Sequence, residues 1–245
     1  EIASCLVGSE MCIRDRLFDI KVSERVCLDV GASTGGFTDC LLQNGARLVY
    51  GIDVGSDQMD EKIKNDSRVV CIEKINARRL DDLIRTKLLA PFQPEPNLIV
   101  ADLSFISLTL VLKAVVNAVA KNAEFVVLIK PQFELGQEAL NKKGIVTDNR
   151  IRIEALSKIQ SFCEQNGWTV KASAQSPIKG GDGNVEYIMH FQSYCDYICF
   201  FFIVLDLGWL FYLSRFFCRC CWVWLFCNIC VIGSRIFVFF SLWKA

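Results

Sequence analysis

Three charged residues stand at or near the ends of apolar stretches of this chain. Asp102 follows the stretch LIVA, Lys130 follows FVVLI, and Glu186 lies inside VEYIMH. An ammonium group and two carboxylates in one crevice are costly unless they pair, so their convergence would indicate a function. Together they could hold a hydroxyl group and steer its proton. Taken singly, Asp102 could be a helix N-cap, Lys130 a solvated strand end and Glu186 an edge-strand charge.

A glycine-rich turn favours the functional interpretation. The sequence VCLDVGASTGGFTD passes from an apolar stretch through Gly31, Gly35 and Gly36 into a helical pattern, and glycine allows a sharp turn close to a ligand. Asp53 ends the next apolar stretch, where nucleotide-binding folds place a carboxylate for ribose hydroxyls. The glycine spacing differs from that of dinucleotide enzymes. Asp29 could instead face the cationic methionine part of S-adenosylmethionine, and a turn without any ligand is the remaining alternative.

Apolar stretches alternate with amphipathic ones, which predicts an α/β fold with a parallel sheet and crossover helices. We expect strands at residues 26–30, 48–53, 69–72, 98–102, 125–129, 169–176 and 185–190. We expect helices at residues 36–43, 79–89, 108–120 and 150–166, the last ending at Gly167. Because ligands bind at the carboxyl ends of parallel strands, Asp102 and Lys130 should share one edge with the glycine turn.

The composition indicates a domain without net basic charge. The chain has 245 residues, 27 lysines and arginines, and 27 aspartates and glutamates. The two signs also nearly balance over residues 17–192, so non-specific binding to nucleic acid would depend on local patches. Cys27, Cys40, Cys71 and Cys163 lack metal-ligand spacing. We interpret them as reduced core thiols of a cytoplasmic protein that binds no metal.

Residues 1–16 do not share the pattern of the domain predicted for residues 17–192. They show neither helical nor strand periodicity, and we interpret them as a non-native or disordered leader, an assembly artefact. A signal peptide is the competing interpretation. Glu10, Arg14 and Asp15 interrupt the apolar core that a signal peptide needs.

Residues 193–245 form a tail rich in phenylalanine, tryptophan and cysteine, with seven of the 13 cysteines of the chain. The excess of these residues without amphipathic order resembles an out-of-frame translation. Two alternatives remain open for the tail. Residues 197–213 and 220–238 could anchor the chain in a membrane, and the clustered cysteines could bind a metal: Cys218, Cys220, Cys221, Cys227 and Cys230.

Several stretches of residues 17–192 together resemble the TlyA (hemolysin A) family of ribosomal RNA 2′-O-ribose methyltransferases, within the broader FtsJ-like group. They are the glycine turn at 28–39, DLSFIS at 102–107, KPQFE at 130–134, GIV at 144–146 and GNVEY at 183–187. The resemblance implies a Rossmann-like, seven-stranded methyltransferase fold in a three-layer α/β/α sandwich. It also implies S-adenosylmethionine as methyl donor and ribosomal RNA, free or in a ribosomal subunit, as partner.

The resemblance implies a catalytic set of the order Lys-Asp-Lys-Glu. Its last three members match Asp102, Lys130 and Glu186. The family places the first lysine upstream of the first strand, where residues 1–16 contain no lysine and Lys21 is too close to the strand. We therefore expect this chain to lack that lysine and the N-terminal RNA-binding domain of the family, and to bind cofactor but turn over slowly.

Two further sets of residues are expected to hold the cofactor and the RNA. The cofactor set comprises Asp29, Gly31, Ser33, Gly35, Gly36, Phe37, Asp53, Asn76 and Asp102. The cations that could meet RNA phosphates are Arg78, Lys142, Lys143 and Arg150, although each alone is ordinarily a solvated surface residue.

Two other functions compete with RNA methylation. A nicotinamide-dependent oxidoreductase would use the same turn and Asp53, but it would leave Lys130 and Glu186 without a role. A membrane-active hemolysin-like protein would use the aromatic tail, but it would not need a complete cofactor crevice. Base-amino methyltransferases usually follow the fourth strand with a proline-rich aromatic motif, which DLSFIS lacks, so an oxygen atom is the favoured target.

Overall fold

The computed structural model describes residues 18–193 and, beyond them, two strands at Trp224–Ile232 and Arg235–Trp243. The chain divides into two compact units with their boundary between residues 195 and 196. The first unit contains a seven-stranded sheet and the second a two-stranded sheet. The predicted leader lies outside the described residues.

Strands and helices alternate through residues 18–193. The strands are β1 Val26–Val30, β2 Leu48–Ile52, β3 Val69–Ile72, β4 Leu98–Ala101, β5 Glu124–Ile129, β6 Thr169–Lys179 and β7 Val185–Gln192. The helices are α1 Gly36–Gln43, α2 Glu61–Lys64, α3 Leu80–Arg85, α4 Leu112–Val116, α5 Pro131–Glu134 and α6 Asn149–Gln165. Short 3₁₀ helices span Ala77–Arg79, Leu108–Leu110 and Gln137–Ala139.

The strand order is β3-β2-β1-β4-β5-β7-β6, and β1 to β5 are parallel. The predicted number of strands is therefore confirmed for this unit. The expected parallel pairing holds from β1 to β5, whereas β7 runs antiparallel to both β5 and β6. The reason is the short β6–β7 turn, where Gly180 N–H donates to the Asn184 carbonyl at 2.9 Å. The turn between Lys179 and Val185 is long enough for an antiparallel hairpin but too short for the crossover that a parallel pair of strands needs.

Apolar side chains pack on both faces of the sheet, which gives the three layers expected. Neighbouring residues of a strand point to opposite faces. Leu28 of β1 accordingly packs in one cluster with Leu112 of α4 and Ile159 of α6. Cys27 packs in the other cluster with Leu41 of α1. The glycine turn therefore leaves a strand that is buried on both sides.

Two of the predicted helices are shorter than expected. The pattern over residues 79–89 gives one 3₁₀ turn followed by α3, and the pattern over 108–120 gives one 3₁₀ turn followed by α4. After α3, Thr86 turns its hydroxyl back to the Asp82 carbonyl at 2.7 Å and Lys87 has φ +61°. By contrast, α6 matches its prediction closely, and Gly167 with φ +74° follows its last turn.

The tail contributes β8 Trp224–Ile232 and β9 Arg235–Trp243, which pair antiparallel. The possible span at residues 197–213 and three of the five clustered cysteines lie outside the described residues. Among the residues that are described, no helix has the length and apolarity to cross a bilayer. Within the same residues, no group of three or more histidine, cysteine, aspartate or glutamate side chains could hold a metal ion.

Candidate active site

The glycine turn joins β1 to α1 and packs directly against the end of β4. Gly31 has φ +86° and Gly35 has φ +91°, in the left-handed region that favours glycine. A Cβ atom at Gly31 would lie 2.4 Å from the carbonyl oxygen of Asp102. The Gly31 N–H donates to the Ile52 carbonyl at 2.9 Å, which ties the turn to β2. Position 31 therefore requires glycine for two reasons, its backbone angle and its closeness to β4.

Asp29 is fully buried beneath this turn. Its Oδ2 accepts a hydrogen bond from the Thr38 hydroxyl at 2.7 Å, whereas its Oδ1 has no hydrogen-bond partner. Burial, together with the nearby carboxylates of Asp102 and Asp53, raises the pKa of Asp29 to about 7, against the lowering effect of the hydrogen bonds from Thr38. A buried carboxylate with one open oxygen fits a positively charged ligand group.

Asp53 follows β2 and holds the outer part of the turn. Its two oxygens accept from the backbone N–H groups of Ser33 at 2.9 Å and Gly55 at 2.7 Å. Asn76 is brought beside it, because the Ile75 N–H donates to the Asp53 carbonyl at 2.8 Å. The Asn76 side chain accepts the Arg78 N–H at 3.1 Å, which makes it an N-cap as well as a candidate ligand residue.

The start of α1 completes the turn. Gly36 is the first residue of the helix, and Phe37 packs against the cluster on the α1 face of the sheet. Ser33 is exposed and has φ +46°. The expected cofactor residues of β1, β2 and the turn thus lie together, with Ser33 on the solvent side and Phe37 on the core side.

Asp102 and Lys130 are the first residues after β4 and β5, which are neighbours in the sheet. Lys130 Nζ lies 2.6 Å from Asp102 Oδ1 and donates to the Ser104 hydroxyl at 3.1 Å. Among the described residues, Asp102 Oδ1 has no hydrogen-bond partner besides this ion pair. The Lys130 side chain is 13% exposed, and withdrawal from water strengthens the attraction between the two charges.

Glu186 lies on β7, next to β5, and is 4% exposed. Ile129 pairs with Tyr187, so the next position of the antiparallel ladder puts Glu186 opposite Lys130 and on the same face. A Cβ atom at Gly180 would lie 2.3 Å from Glu186 Oε1. The structure therefore brings the three charged residues to one edge, and the β6–β7 turn leaves room for the glutamate carboxylate.

Phe105 is an exposed aromatic residue at the same edge. Its side chain is 90% exposed and its φ is +64°, which is unusual for a residue other than glycine. Its ring centroid lies 5.0 Å from that of Phe133. Phe133 is half-buried, whereas the Phe105 ring is held out into solvent next to Ser104, the hydrogen-bond partner of Lys130, and offers a flat surface to a ligand.

The four candidate RNA-binding cations do not form one cluster. Lys142 and Lys143 are exposed on the loop after α5, and Arg150 is 92% exposed at the start of α6, where it pairs with Asp148 at 3.2 Å. Arg78 follows β3, which lies four strand positions from β5, a separation of about 19 Å. Arg78 could therefore contact only a different part of the RNA from Lys142, Lys143 and Arg150.

Several residues that shape the site were not assigned a role from the sequence. They are Thr38, Ser104, Phe105, Glu134 and Asn184. Asn184 is buried, accepts the Val146 N–H at 3.0 Å and donates to the Gly144 carbonyl at 3.2 Å, and so fixes the loop that carries the two lysines. Thr38 lies in α1, and the other four belong to the motifs that follow β4, β5 and β6. Their roles depend on contacts between different motifs, so the spacing within one motif does not reveal them.

S-adenosylmethionine, which the family resemblance implies, fits these residues. The open Oδ1 of Asp29 suits the cationic amino group of its methionine part. The missing Cβ atoms at Gly31 and Gly35 let the turn pack against the Asp102 carbonyl and the Ile63 side chain, which keeps the turn beside the end of β4. The Asp53 carboxylate can accept further hydrogen bonds from ribose hydroxyls, since each carboxylate oxygen has two lone pairs.

Comparisons with known proteins identify relatives of this chain. The model of the FtsJ-like methyltransferase family matches residues 12–193. Hemolysin A of Brachyspira hyodysenteriae is 44% identical, over 71% of this chain and 70% of that protein. The 16S/23S rRNA (cytidine-2′-O)-methyltransferase TlyA of Mycobacterium tuberculosis is 41% identical, over 73% of this chain and 64% of that protein.

A solved structure extends the similarity to three dimensions. The crystal structure of a candidate hemolysin from Lactococcus lactis is 41% identical, with a TM-score of 0.69 over 76% of this chain and 86% of that one. The chain spans between 59% and 70% of the length of its curated relatives. The match over most of the chain and the shared fold show that this chain belongs to the FtsJ-like methyltransferase family, in the group of TlyA and hemolysin A proteins.

Proposed function

We propose that this chain transfers a methyl group from S-adenosylmethionine to the 2′-oxygen of a ribose in ribosomal RNA, in the cytoplasm. The observation that carries the proposal is the Lys130–Asp102 pair, with Glu186 opposite, at the same sheet edge as the glycine turn. Ribosomal RNA as the substrate is supported by the relative from Mycobacterium tuberculosis, which is a 16S/23S rRNA (cytidine-2′-O)-methyltransferase.

The glycine turn would hold the cofactor. Asp29 would face its amino group, Asp53 its ribose hydroxyls, and the Gly31–Gly36 backbone would lie along it, with Phe37 and Asn76 at the two sides. When bound, S-adenosylmethionine supplies a methyl group on a positively charged sulfur. The task of the protein is then to align an oxygen atom with that methyl group, since the transfer is an in-line displacement.

Lys130 would hold the ribose 2′-oxygen and steer its proton. Asp102 and Glu186 would orient the ammonium group from two sides, because one is in contact with it and the other lies opposite it in the ladder. The proton of the hydroxyl has to leave as the new carbon–oxygen bond forms. The Asp102 carboxylate, which is in contact with the ammonium group that steers the proton, would receive it.

The RNA would approach from the side of Phe105. An aromatic side chain exposed beside the ion pair can stack on an unpaired base, as single-stranded RNA requires. Lys142, Lys143 and Arg150 would contact phosphates nearby, and Arg78 would contact a more distant phosphate.

The position of the methyl group in the product tests this proposal. The full chain is incubated with ribosomal RNA and S-adenosylmethionine labelled in its methyl group, and the RNA is hydrolysed with alkali. A 2′-O-methyl group blocks cleavage of the adjacent phosphodiester, so the label should appear in alkali-resistant dinucleotides. Label in mononucleotides would indicate base methylation, and no label in the RNA would contradict the proposed transfer.

A further inference from the structure

Glu134 is a buried carboxylate that the proposed transfer does not use. Its side chain is 2% exposed, and it ends α5, four residues after Lys130. Burial raises the pKa of Glu134, whereas hydrogen bonds from the Leu108 N–H and the Ser107 hydroxyl favour its ionised form. A buried carboxylate is costly unless such bonds compensate it, so this position needs a reason other than filling the core.

The contacts of Glu134 reach two other segments. Its Oε1 accepts the Leu108 N–H at 2.8 Å, and its Oε2 accepts the Ser107 hydroxyl at 2.5 Å. Lys158 of α6 lies 3.9 Å from Oε2 and also donates to the Glu134 carbonyl oxygen. One side chain therefore joins α5 to the segment after β4 and to the long helix.

The two segments joined by Glu134 are the ones that carry the ion pair. Asp102 stands five residues before Ser107, and Lys130 stands four residues before Glu134. The ion pair between Lys130 and Asp102 also joins these segments, but it is more open to water than Glu134, since the Asp102 side chain is 29% exposed. The buried contact is thus the one best able to keep the segments in a fixed position.

We propose that Glu134 is a positioning residue, whose carboxylate holds the segment after β4 against α5 and so sets the geometry of Lys130 and Asp102. The proposal rests on the methyl transfer proposed above. It predicts that a change at Glu134 lowers the rate of transfer without weakening the binding of cofactor or RNA, because none of the residues assigned to binding touches its carboxylate.

The test compares three variants of the full chain. In Glu134→Ala, kcat should fall about 30-fold, because small displacements of reacting groups cost up to about 100-fold. The RNA KM and the S-adenosylmethionine Kd should stay within about twofold. Glu134→Gln keeps an oxygen for the Leu108 N–H and should recover most of the rate. Glu138→Ala, at an exposed glutamate four residues further on, is the matched control and should leave kcat unchanged.

Two results would overturn the role of Glu134. Either kcat is unchanged in Glu134→Ala, or the cofactor affinity falls as much as kcat and the Gln variant gives no recovery, which is the result expected of a merely structural residue. Should Glu134→Ala not fold, Ser107→Ala removes one of the same hydrogen bonds from the other segment. It should lower kcat in the same sense, with unchanged cofactor affinity.

Deuterium exchange separates this proposal from the proposed function. Loss of the Glu134 carboxylate should speed exchange in residues 107–110, where the Leu108 amide loses its acceptor, and leave residues 31–36 unchanged. Unchanged exchange at 107–110 would overturn the contact alone. A wild-type chain that transfers no methyl group would overturn the proposed function, and with it the effect of Glu134 on catalysis.

Discussion

The two halves of the candidate site are built from different kinds of contact. In the half formed by β1 and β2, backbone N–H groups donate to carbonyls or to a side chain, as Gly31 does to Ile52 and Ser33 to Asp53. In the half formed by β4 and β5, the contacts join side chains, as between Lys130 and Asp102. We name them the turn half and the lysine half.

This difference suggests that the two halves control different properties of the enzyme. A backbone-built site is sensitive to any added Cβ atom, whereas a site built from side chains is sensitive to the loss of one functional group. The turn half should therefore govern the affinity for the cofactor, and the lysine half the rate of transfer. Four substitutions test whether the two properties can be separated.

The largest effect is expected in the lysine half. Lys130→Ala removes the only cation in contact with Asp102 among the described ion pairs. The rate of methyl transfer should fall about 10³-fold, in the range typical of a lost acid–base group. The S-adenosylmethionine Kd from calorimetry should change little. Lys121→Ala is the control, at an exposed lysine three residues before the start of β5, and it should behave as wild type.

The next effect is expected in the turn half. In Gly31→Ala the new Cβ meets the Asp102 carbonyl at 2.4 Å, and the backbone cannot move aside without shifting β4. Cofactor affinity should fall about 100-fold, and the free energy of unfolding about 3 kcal/mol. Gly144→Ala has a similar φ of +73° but nothing within 4 Å, so it should lose only about 1 kcal/mol. Equal losses in both variants would show that the backbone angle alone matters.

Gly180→Ala displaces a side chain of the lysine half without deleting it. The new Cβ would lie 2.3 Å from Glu186 Oε1, the flexible end of that side chain, so the carboxylate should move at little cost in stability. The transfer rate should fall about 10-fold because Glu186 no longer faces Lys130. Gly181→Ala has nothing within 4 Å and is the matched control. A full rate in Gly180→Ala would exclude Glu186 from the mechanism.

The last effect concerns the pH dependence of stability that Asp29 causes. Folding raises its pKa from 3.8 to about 7, so the native state keeps a proton that the unfolded chain releases between those values. The free energy of unfolding should therefore fall as the pH rises through this window, and Asp29→Asn should remove that part of the slope. Denaturant titrations at several pH values measure it. Asp39→Asn, in the first turn of α1, is the control.

The same proton links Asp29 to the cofactor. A cationic group beside Asp29 favours its ionised form, so S-adenosylmethionine should bind more tightly as the pH rises towards about 7, and its affinity should level off above that value. Calorimetry at pH values on both sides of this pKa, with wild type and Asp29→Asn, checks the linkage. An affinity independent of pH in the wild type would show that Asp29 does not face the amino group.

The turn half was the more predictable from sequence. Gly31 and Gly35 are recognisable because a left-handed backbone angle favours glycine, and Asp53 is recognisable because it directly follows an apolar strand. Helix α1 begins and ends where the pattern indicated. The direction of β7 was not predictable from strand periodicity, since alternation is the same in either direction. It follows from the length of the turn before it.

The lysine half was predictable only in part. Asp102 and Lys130 could be placed at strand ends because apolar stretches mark the strands. The contact of Glu134 with Leu108 spans 26 residues and joins two irregular segments, so that no local pattern records it. The left-handed φ of Phe105 is equally invisible in the sequence, because phenylalanine rarely adopts it.

Calorimetric titration of S-adenosylmethionine, with NADH as comparator, tests most directly whether the turn half alone governs the affinity for the cofactor. It is carried out on the full chain and on its Asp53→Ala and Lys130→Ala variants. We expect the wild type and Lys130→Ala to bind S-adenosylmethionine with similar micromolar Kd, Asp53→Ala to lose binding, and NADH to bind to none of them. Preference for NADH, or equal loss of S-adenosylmethionine binding in both variants, would contradict the account.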